Sequence, residues 1–198
     1  MTCVYICRCH SPRAQGARTA AGLTEWQIAE DINTEIARTL ESCGVNCEIL
    51  ERTLPWRINT INQFAGRDDL AVEVHCNASP NPGAHGYSAL AYYRSKPAIG
   101  LACDILDSLD SLAGVLTHNS RPRMDTLNLV DANRQMIGTD REYSTKRQAF
   151  CSQTKCISVL VECLFLTNPR EAALIAMRKN RVLIGNAIAG GIVDYLDR

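Results

Sequence analysis

Two kinds of hydrophobic pattern alternate along the chain, and this alternation restricts the fold more than any other feature. Segments with the two-residue period of strands are predicted over residues 3–9, 45–51, 70–76, 87–93 and 156–162. Between them, apolar side chains recur at helical spacing in segments that begin near Thr24, Arg57, Pro97, Asn168 and Val182. Such alternation predicts an α/β fold, here a single-domain three-layer sandwich with a mainly parallel mixed sheet flanked by helices. No repeat or low-complexity linker interrupts the pattern, so residues 1–198 are predicted to form one domain.

Charge and hydrophobicity restrict the possible partners. The 198 residues include 21 Lys+Arg and 21 Asp+Glu, and a formal charge of zero gives no electrostatic reason to bind nucleic acid or an anionic membrane. The longest apolar stretch near the end, residues 182–196, is interrupted by Asn186 and Asp194 and is too short to span a bilayer. We therefore expect no nucleic-acid partner and no membrane span, while the oligomeric state stays open.

The ten cysteines are predicted to be free thiols. The chain has no CxxC motif, is much longer than small disulfide-stapled domains, and has a hydrophobic content of 46%, enough to bury a core without such bonds. Its first residues contain no basic region ahead of a long apolar one, so no signal peptide is visible and a reducing cytoplasm is predicted. The run Cys7-Arg8-Cys9-His10 permits a thiolate metal cluster or buried core thiols. Its one-residue spacer suits a tetrahedral zinc site poorly and favours core thiols.

Residues 70–79 contain the most informative predicted strand, because an apolar run there ends in polar residues and then in a loop. Side chains alternate along a strand, so Glu73, His75 and Asn77 share one face. Polar groups at the carboxyl end of a buried strand lie where α/β folds usually bind their ligands. The strand therefore predicts a site at this end of the sheet, shared with residues from other elements.

Three other residues occupy comparable positions. His10 follows the first predicted strand, Glu162 ends the last one, and Glu25 lies in the first turn of a helix capped by Thr24. Two histidines and a carboxylate are the ligand set of hydrolytic zinc sites, which keep a fourth position for water. A further carboxylate nearby is what the water needs as a general base. Spacing alone favours the alternative, in which Glu25 is a surface residue that interacts with the helix dipole.

Several of these motifs occur, in the same order, in a known family. His10 followed by Glu25, Val-Glu-Val-His-Cys-Asn-Ala-Ser at 72–79, and Val-Glu-Cys-Leu-Phe-Leu-Thr-Asn at 161–168 resemble the zinc-dependent N-acetylmuramoyl-L-alanine amidases of the type-3 family. The last two blocks are the most specific, since the family's segments resemble Ser-x-His-x-Asn-Ala and Val-Glu-x-x-Phe-x-x-Asn. The chain departs from the family at Ser11 and Pro12, where glycines are usual, and at Glu73, where serine is common. The Glu73 substitution is associated with the phage-encoded branch.

The resemblance, which spans nearly the whole chain, implies a complete catalytic site. One zinc ion per chain would be held by His10, Glu25 and His75, with Glu162 as the catalytic carboxylate. Zinc would polarise the lactyl carbonyl and lower the pKa of a water molecule to about 7. Glu162 would then pass the proton of that water to the departing L-alanine nitrogen.

The roles of two further residues and of one segment stay open. Arg147 matches an arginine ahead of the family's penultimate strand, here predicted at 148–151, and either binds a substrate carboxylate or the oxyanion, or is a solvated loop cation. Glu73 either accepts the free N–H of a ligand histidine or is a buried salt-bridge partner. Residues 116–147 form a longer connection than ordinary loops, as functional lids and walls do.

The predicted activity is hydrolysis of the amide bond between N-acetylmuramic acid and L-alanine in peptidoglycan or a muramoyl-peptide. Two other classes remain: another zinc hydrolase on a similar α/β fold, such as a carboxypeptidase, and a non-catalytic wall-binding module. In having no visible signal peptide, the chain resembles a phage endolysin. Such a protein stays in the host cytoplasm until lysis and then acts on the cell wall.

Overall fold

A computed structural model describes residues 2–92, 94–112 and 149–198. Its five-stranded sheet has the order β2-β1-β3-β5-β4. The strands are β1 (Cys3–Arg8), β2 (Asn46–Leu50), β3 (Leu70–Asn77), β4 (Ser88–Ala91) and β5 (Ile157–Phe165). Neighbouring strands pair in parallel except β4, which is antiparallel to β5. The predicted α/β fold with a mainly parallel mixed sheet is confirmed.

Helices cover both faces of this sheet and complete the three layers. They are α1 (Glu25–Ser42), α2 (Leu54–Phe64), α3 (Lys96–Asp110), α4 (Ala149–Gln153), α5 (Pro169–Ala176) and α6 (Arg178–Leu196). The larger apolar cluster joins α1, α3 and α6 to one face of the sheet, and a smaller cluster joins α2 and α4 to the other. Along β1, Val4 and Ile6 enter the first cluster and Tyr5 and Cys7 the second, as the two-residue period of a strand requires.

Helix α1 begins where the sequence predicts. Thr24 is its N-cap and forms a capping box with Gln27, in which each side chain accepts a hydrogen bond from the other residue's backbone N–H. The helix ends at Ser42, and Gly44 takes a left-handed φ of 74°, which stops it at low steric cost. These signals fix the position of Glu25 as the first helical residue.

Other boundaries differ from the prediction. Helix α2 begins at Leu54 rather than near Arg57, because Pro55 fits the first turn of a helix and does not have to form a loop before it. Strand β5 continues past Glu162 to Phe165, so Glu162 lies within the strand rather than at its end. The strand predicted at 148–151 is wrong, since α4 occupies residues 149–153.

Some predictions concern residues outside the described ranges. Arg147 and the long connection over residues 116–147 belong to this group. Within the described part of the chain, no helix is long and apolar enough to cross a membrane.

Candidate metal centre

Three elements bring His10, Glu25 and His75 together at the carboxyl ends of two adjacent strands. Strands β1 and β3 pair in parallel, so the residue after β1 and the last part of β3 meet at the same edge of the sheet. The N-terminus of α1 places Glu25 against this edge. His10 has a left-handed φ of 60°, which turns the chain sharply after β1.

The carboxylate of Glu25 lies between the two imidazoles. Its Oε2 is 2.9 Å from Nε2 of His10, and its Oε1 is 2.8 Å from Nδ1 of His75. The two rings approach edge to face, with centroids 5.2 Å apart. Residues separated by 15 and 50 positions in sequence therefore present their polar atoms to one small volume.

Backbone groups hold the Glu25 carboxylate in place, and the two histidines keep it ionised. The N–H groups of Ala17 and Cys76 donate to its two oxygens at 3.0 Å and 3.1 Å. Burial alone would raise the pKa of Glu25, which is 3% exposed, but hydrogen bonds from His10, His75 and Cys76 outweigh it and hold the pKa well below its usual range.

The second nitrogen of His75 faces another buried carboxylate. Its Nε2 lies 3.5 Å from Oε2 of Glu73, whose other oxygen forms a salt bridge with Arg57. Burial would lower the pKa of His75, but Glu25 and Glu73 more than compensate and raise it to about 10. Glu73 thus contacts both partners that the sequence offered as alternatives, the histidine and a buried cation.

Four side chains present atoms that metals prefer. The ligand atoms of Cys9, His10, Glu25 and His75 all lie within 4.8 Å of one another. Imidazole nitrogens and a carboxylate suit zinc. A Cβ on Gly16, whose φ is 73°, would collide with Glu25 Oε2 and His10 Nε2, so the absence of a side chain there leaves space beside both atoms. The donor set and this space fit a zinc ion.

Cys9 was not expected in this group. Its fully buried Sγ lies 3.7 Å from Glu25 Oε1, and burial and the charge of Glu25 raise its pKa, which keeps the thiol protonated. Cys7 belongs to the apolar cluster on the opposite face, so residues 7–10 do not form one thiolate cluster. Cys9 packs in the core beneath the histidines. The two-residue period of β1 would place Cys9 with Cys7, but Cys9 lies in the same apolar cluster as Val4 and Ile6, so the alternation breaks after Arg8, where the strand ends.

Glu162 approaches the group from the neighbouring strand. It is the register partner of His75 in the parallel pairing of β3 with β5, so the two side chains share a face. Burial raises the pKa of Glu162 to about 7, and the negative charges of Glu25 and Glu73 add to this effect. Its Oε2 is buried without a hydrogen-bond partner among the residues that the structure describes. A carboxylate with these properties exchanges protons readily near neutral pH.

A cavity of about 340 Å³ opens beside the two histidines. Its walls come from four elements and are formed by His10, Ser11, Thr53, Leu54, Arg57, Glu73, His75 and Phe150. Arg57 was not singled out by the sequence, because its position depends on where α2 begins and how that helix packs. The cavity provides room for a substrate group next to the candidate metal ligands.

Two other residues that could take part in a site, His85 and Arg147, are not among the candidate ligands. His85 is in the loop before β4, where its Nδ1 is 2.9 Å from the carbonyl oxygen of Gly83. It does not belong to the group of possible metal ligands around Glu25. Arg147 falls outside the described ranges.

Comparison with known proteins identifies the family. The profile of the N-acetylmuramoyl-L-alanine amidases matches residues 4–194. The chain belongs to this amidase family. The resemblance inferred from the blocks around His75 and Glu162 is therefore confirmed.

Individual relatives agree with this assignment. The amidase AmiC of Neisseria meningitidis serogroup B is 24% identical over 213 residues, which cover 95% of this chain and 51% of that protein. The chain thus spans about half the length of this curated relative. The amidase AmiC2 of Nostoc punctiforme has a similar structure, with a TM-score of 0.75, 22% identity and coverage of 100% and 98% of the two chains.

A second similar structure is the catalytic domain of the CD27L endolysin targeting Clostridia difficile. The TM-score is 0.71, with 20% identity and coverage of 98% of each chain. At this level of identity, the similarity shows a common amidase fold and leaves the roles of individual residues to be argued from the site.

Proposed function

We propose that the protein is a zinc-dependent N-acetylmuramoyl-L-alanine amidase that hydrolyses the amide bond between N-acetylmuramic acid and L-alanine in peptidoglycan. In this proposal His10, Glu25 and His75 hold one zinc ion per chain. The observation that carries it is the Glu25 carboxylate, which lies within 2.9 Å of a nitrogen of each histidine while Glu162 faces the group from the next strand.

This ligand set would leave a fourth coordination position of the zinc ion open for chemistry. Three protein ligands with a fourth open position are typical of catalytic zinc, whereas structural sites use four protein ligands. When bound, zinc supplies Lewis-acid polarisation of the scissile carbonyl and makes an attacking water easier to deprotonate. The buried, protonated thiol of Cys9 is not counted as a ligand in this proposal.

Glu162 is proposed as the general base and then the general acid. Its pKa of about 7 allows it to accept a proton from the attacking water at neutral pH. The same carboxyl group then donates that proton to the departing L-alanine nitrogen, which is a poor leaving group unless protonated. Strand β5 places Glu162 opposite His75 in the sheet register.

Arg147 is proposed to bind a substrate carboxylate or the oxyanion. This role rests on the family resemblance of the sequence around it, since the residue lies outside the described ranges. The proposed place of action is the cell wall, which contains the substrate. A phage-endolysin context, with the protein held in the host cytoplasm before lysis, stays a prediction.

The bond that is cleaved tests this function most clearly. Purified peptidoglycan is incubated with the zinc-loaded protein, and the products are analysed by mass spectrometry. An amidase releases stem peptides with a free L-alanine amino group and leaves intact glycan strands. Release of a single carboxyl-terminal amino acid would indicate a carboxypeptidase instead, and wall binding without any released product would indicate a binding module.

A further inference from the structure

We propose that Arg57 and Glu73 act as a pair of positioning residues that fix the imidazole of His75 for metal binding. The inference rests on the proposed function, because it assumes that His75 binds zinc through Nδ1. It extends that function by assigning roles to two buried residues outside the ligand set.

A continuous series of contacts leads from α2 through Glu73 to His75. One carboxylate oxygen of Glu73 pairs with Nη2 of Arg57, and the other lies 3.5 Å from Nε2 of His75. Nη1 of Arg57 donates to the carbonyl oxygen of Arg52 at 2.5 Å, which anchors the guanidinium to the segment before α2. Arg57 and Glu73 are each 2% exposed, so water does not compete strongly for these contacts.

The chemistry of the imidazole ring explains what these contacts do for His75. Nδ1 of His75 faces Glu25, so a proton on the ring must be on Nε2 when Nδ1 binds a metal. A carboxylate that accepts this N–H fixes the tautomer and the ring orientation and makes the ligand nitrogen more basic. Glu73 is the carboxylate in that position.

Arg57 makes this arrangement possible in a buried setting. An unpaired carboxylate inside a protein is strongly unfavourable, and the salt bridge with Arg57 holds one oxygen of Glu73 while the other faces His75. The guanidinium of Arg57 therefore acts on His75 only through Glu73.

The competing explanation is that the pair only stabilises the fold. A structural ion pair would change the resistance to unfolding when it is removed, but it would leave zinc affinity and ligand geometry unaltered. Metal binding by the folded protein separates the two explanations.

The experiment measures the dissociation constant of zinc for the full chain by competition with a chelator. Glu73→Gln should weaken zinc binding by about 10- to 100-fold, the range typical for loss of such a partner. Asp104→Asn is the matched control, because Asp104 is also buried, at 5% exposure, and paired with an arginine, Arg198. Its zinc affinity should equal that of the unmodified protein.

A double variant keeps the test valid if a single variant fails to fold. Arg57→Met combined with Glu73→Gln removes both charges, which proteins often tolerate better than removal of one. Because Arg57 acts through Glu73, the double variant should lose as much zinc affinity as Glu73→Gln alone and no more. The visible absorption spectrum of the cobalt-substituted protein should also change, since it reports the arrangement of the ligands.

The outcomes are distinct. Weaker zinc binding in both Glu73 variants, with an unaltered Asp104→Asn control, supports the positioning role. Unchanged zinc affinity and an unchanged cobalt spectrum in the Glu73 variants, together with reduced stability, would show an ion pair that is only structural. An unmodified protein that binds no zinc would contradict the proposed function and this inference with it.

Discussion

At the scale of single residues, Glu25 connects parts of the site that are distant in sequence. The sequence could suggest His10 and His75 because both lie near the carboxyl ends of strands, but spacing alone favours a surface position at the start of the helix for Glu25. The family resemblance implies a ligand role for Glu25, and its carboxylate lies within 2.9 Å of a nitrogen of each imidazole. Cys9 and Arg57 could not be predicted, because the alternation of β1 ends before Cys9 and the position of Arg57 depends on how helix α2 packs.

Replacement of Glu162 by glutamine should separate metal binding from catalysis. The change keeps the side-chain volume and removes the proton acceptor, so we expect the fold and the zinc content to persist. Amide cleavage should fall by about 10²- to 10⁴-fold, the usual contribution of general acid–base catalysis. His75→Ala serves as the comparison and should lose both zinc and activity. Loss of zinc from Glu162→Gln would show that Glu162 is a ligand and not the base.

The same carboxyl group should make stability depend on pH. Its pKa is about 7 in the folded protein against a usual value of 4.5, so folding favours the protonated form. The stability that this preference contributes is complete below about pH 4.5 and is lost as pH rises towards 7. In the metal-free protein, Glu162→Gln should therefore raise the free energy of unfolding at pH 8 by roughly 1–3 kcal/mol, since one pKa unit corresponds to about 1.4 kcal/mol.

Denaturant unfolding at several pH values measures this effect. The difference between Glu162→Gln and the unmodified protein should shrink steadily as pH falls and vanish near pH 4.5. If the difference in the free energy of unfolding does not depend on pH, the glutamine side chain in Glu162→Gln changes stability through packing and not through charge.

At the scale of helices and strands, prediction succeeds where a pattern is long or carries a specific end signal. Helix α1 has both a regular apolar face and a capping box, and its start is predicted correctly. The start of α2 is displaced because Pro55 suits either a turn or a first helical turn. Helix α4, at residues 149–153, is too short for apolar periodicity to distinguish it from a strand.

The cap of α1 should matter for both stability and metal binding. Thr24→Ala removes the hydroxyl that accepts from Gln27 N–H, which should cost about 0.5–2 kcal/mol of unfolding free energy. Because Glu25 is the next residue, fraying of this turn should also weaken zinc binding. Thr24→Ser keeps the hydroxyl and is the matched control. Equal stability and zinc affinity in all three proteins would rule out this role of the cap.

At the scale of the whole molecule, apolar packing holds the layers together without covalent links. All ten cysteines are free, and most of them are buried in the two apolar clusters on either side of the sheet. The central strands β1, β3 and β5 have helices on both faces, as expected for the interior of a parallel sheet. This packing holds the carboxyl ends of β1 and β3 in the register that the candidate metal centre needs.

A count of thiols tests that picture of the molecule. Titration of the unfolded, unreduced protein with a thiol reagent should detect most of the ten cysteines in the free form, because no pair is joined in the structure. A second titration after reduction provides the control. Recovery of many more thiols after reduction would show that disulfides contribute to the fold.

The central claim is that one zinc ion, held by His10, Glu25 and His75, is required for amide cleavage. The most direct measurement removes the metal with a chelator, returns zinc in known amounts, and records the rate of cleavage of a muramoyl-peptide at each step. We predict that the metal-free protein is inactive, and that the rate rises with added zinc and reaches its maximum at about one ion per chain. Cleavage that continues at full rate after complete removal of the metal would contradict the account.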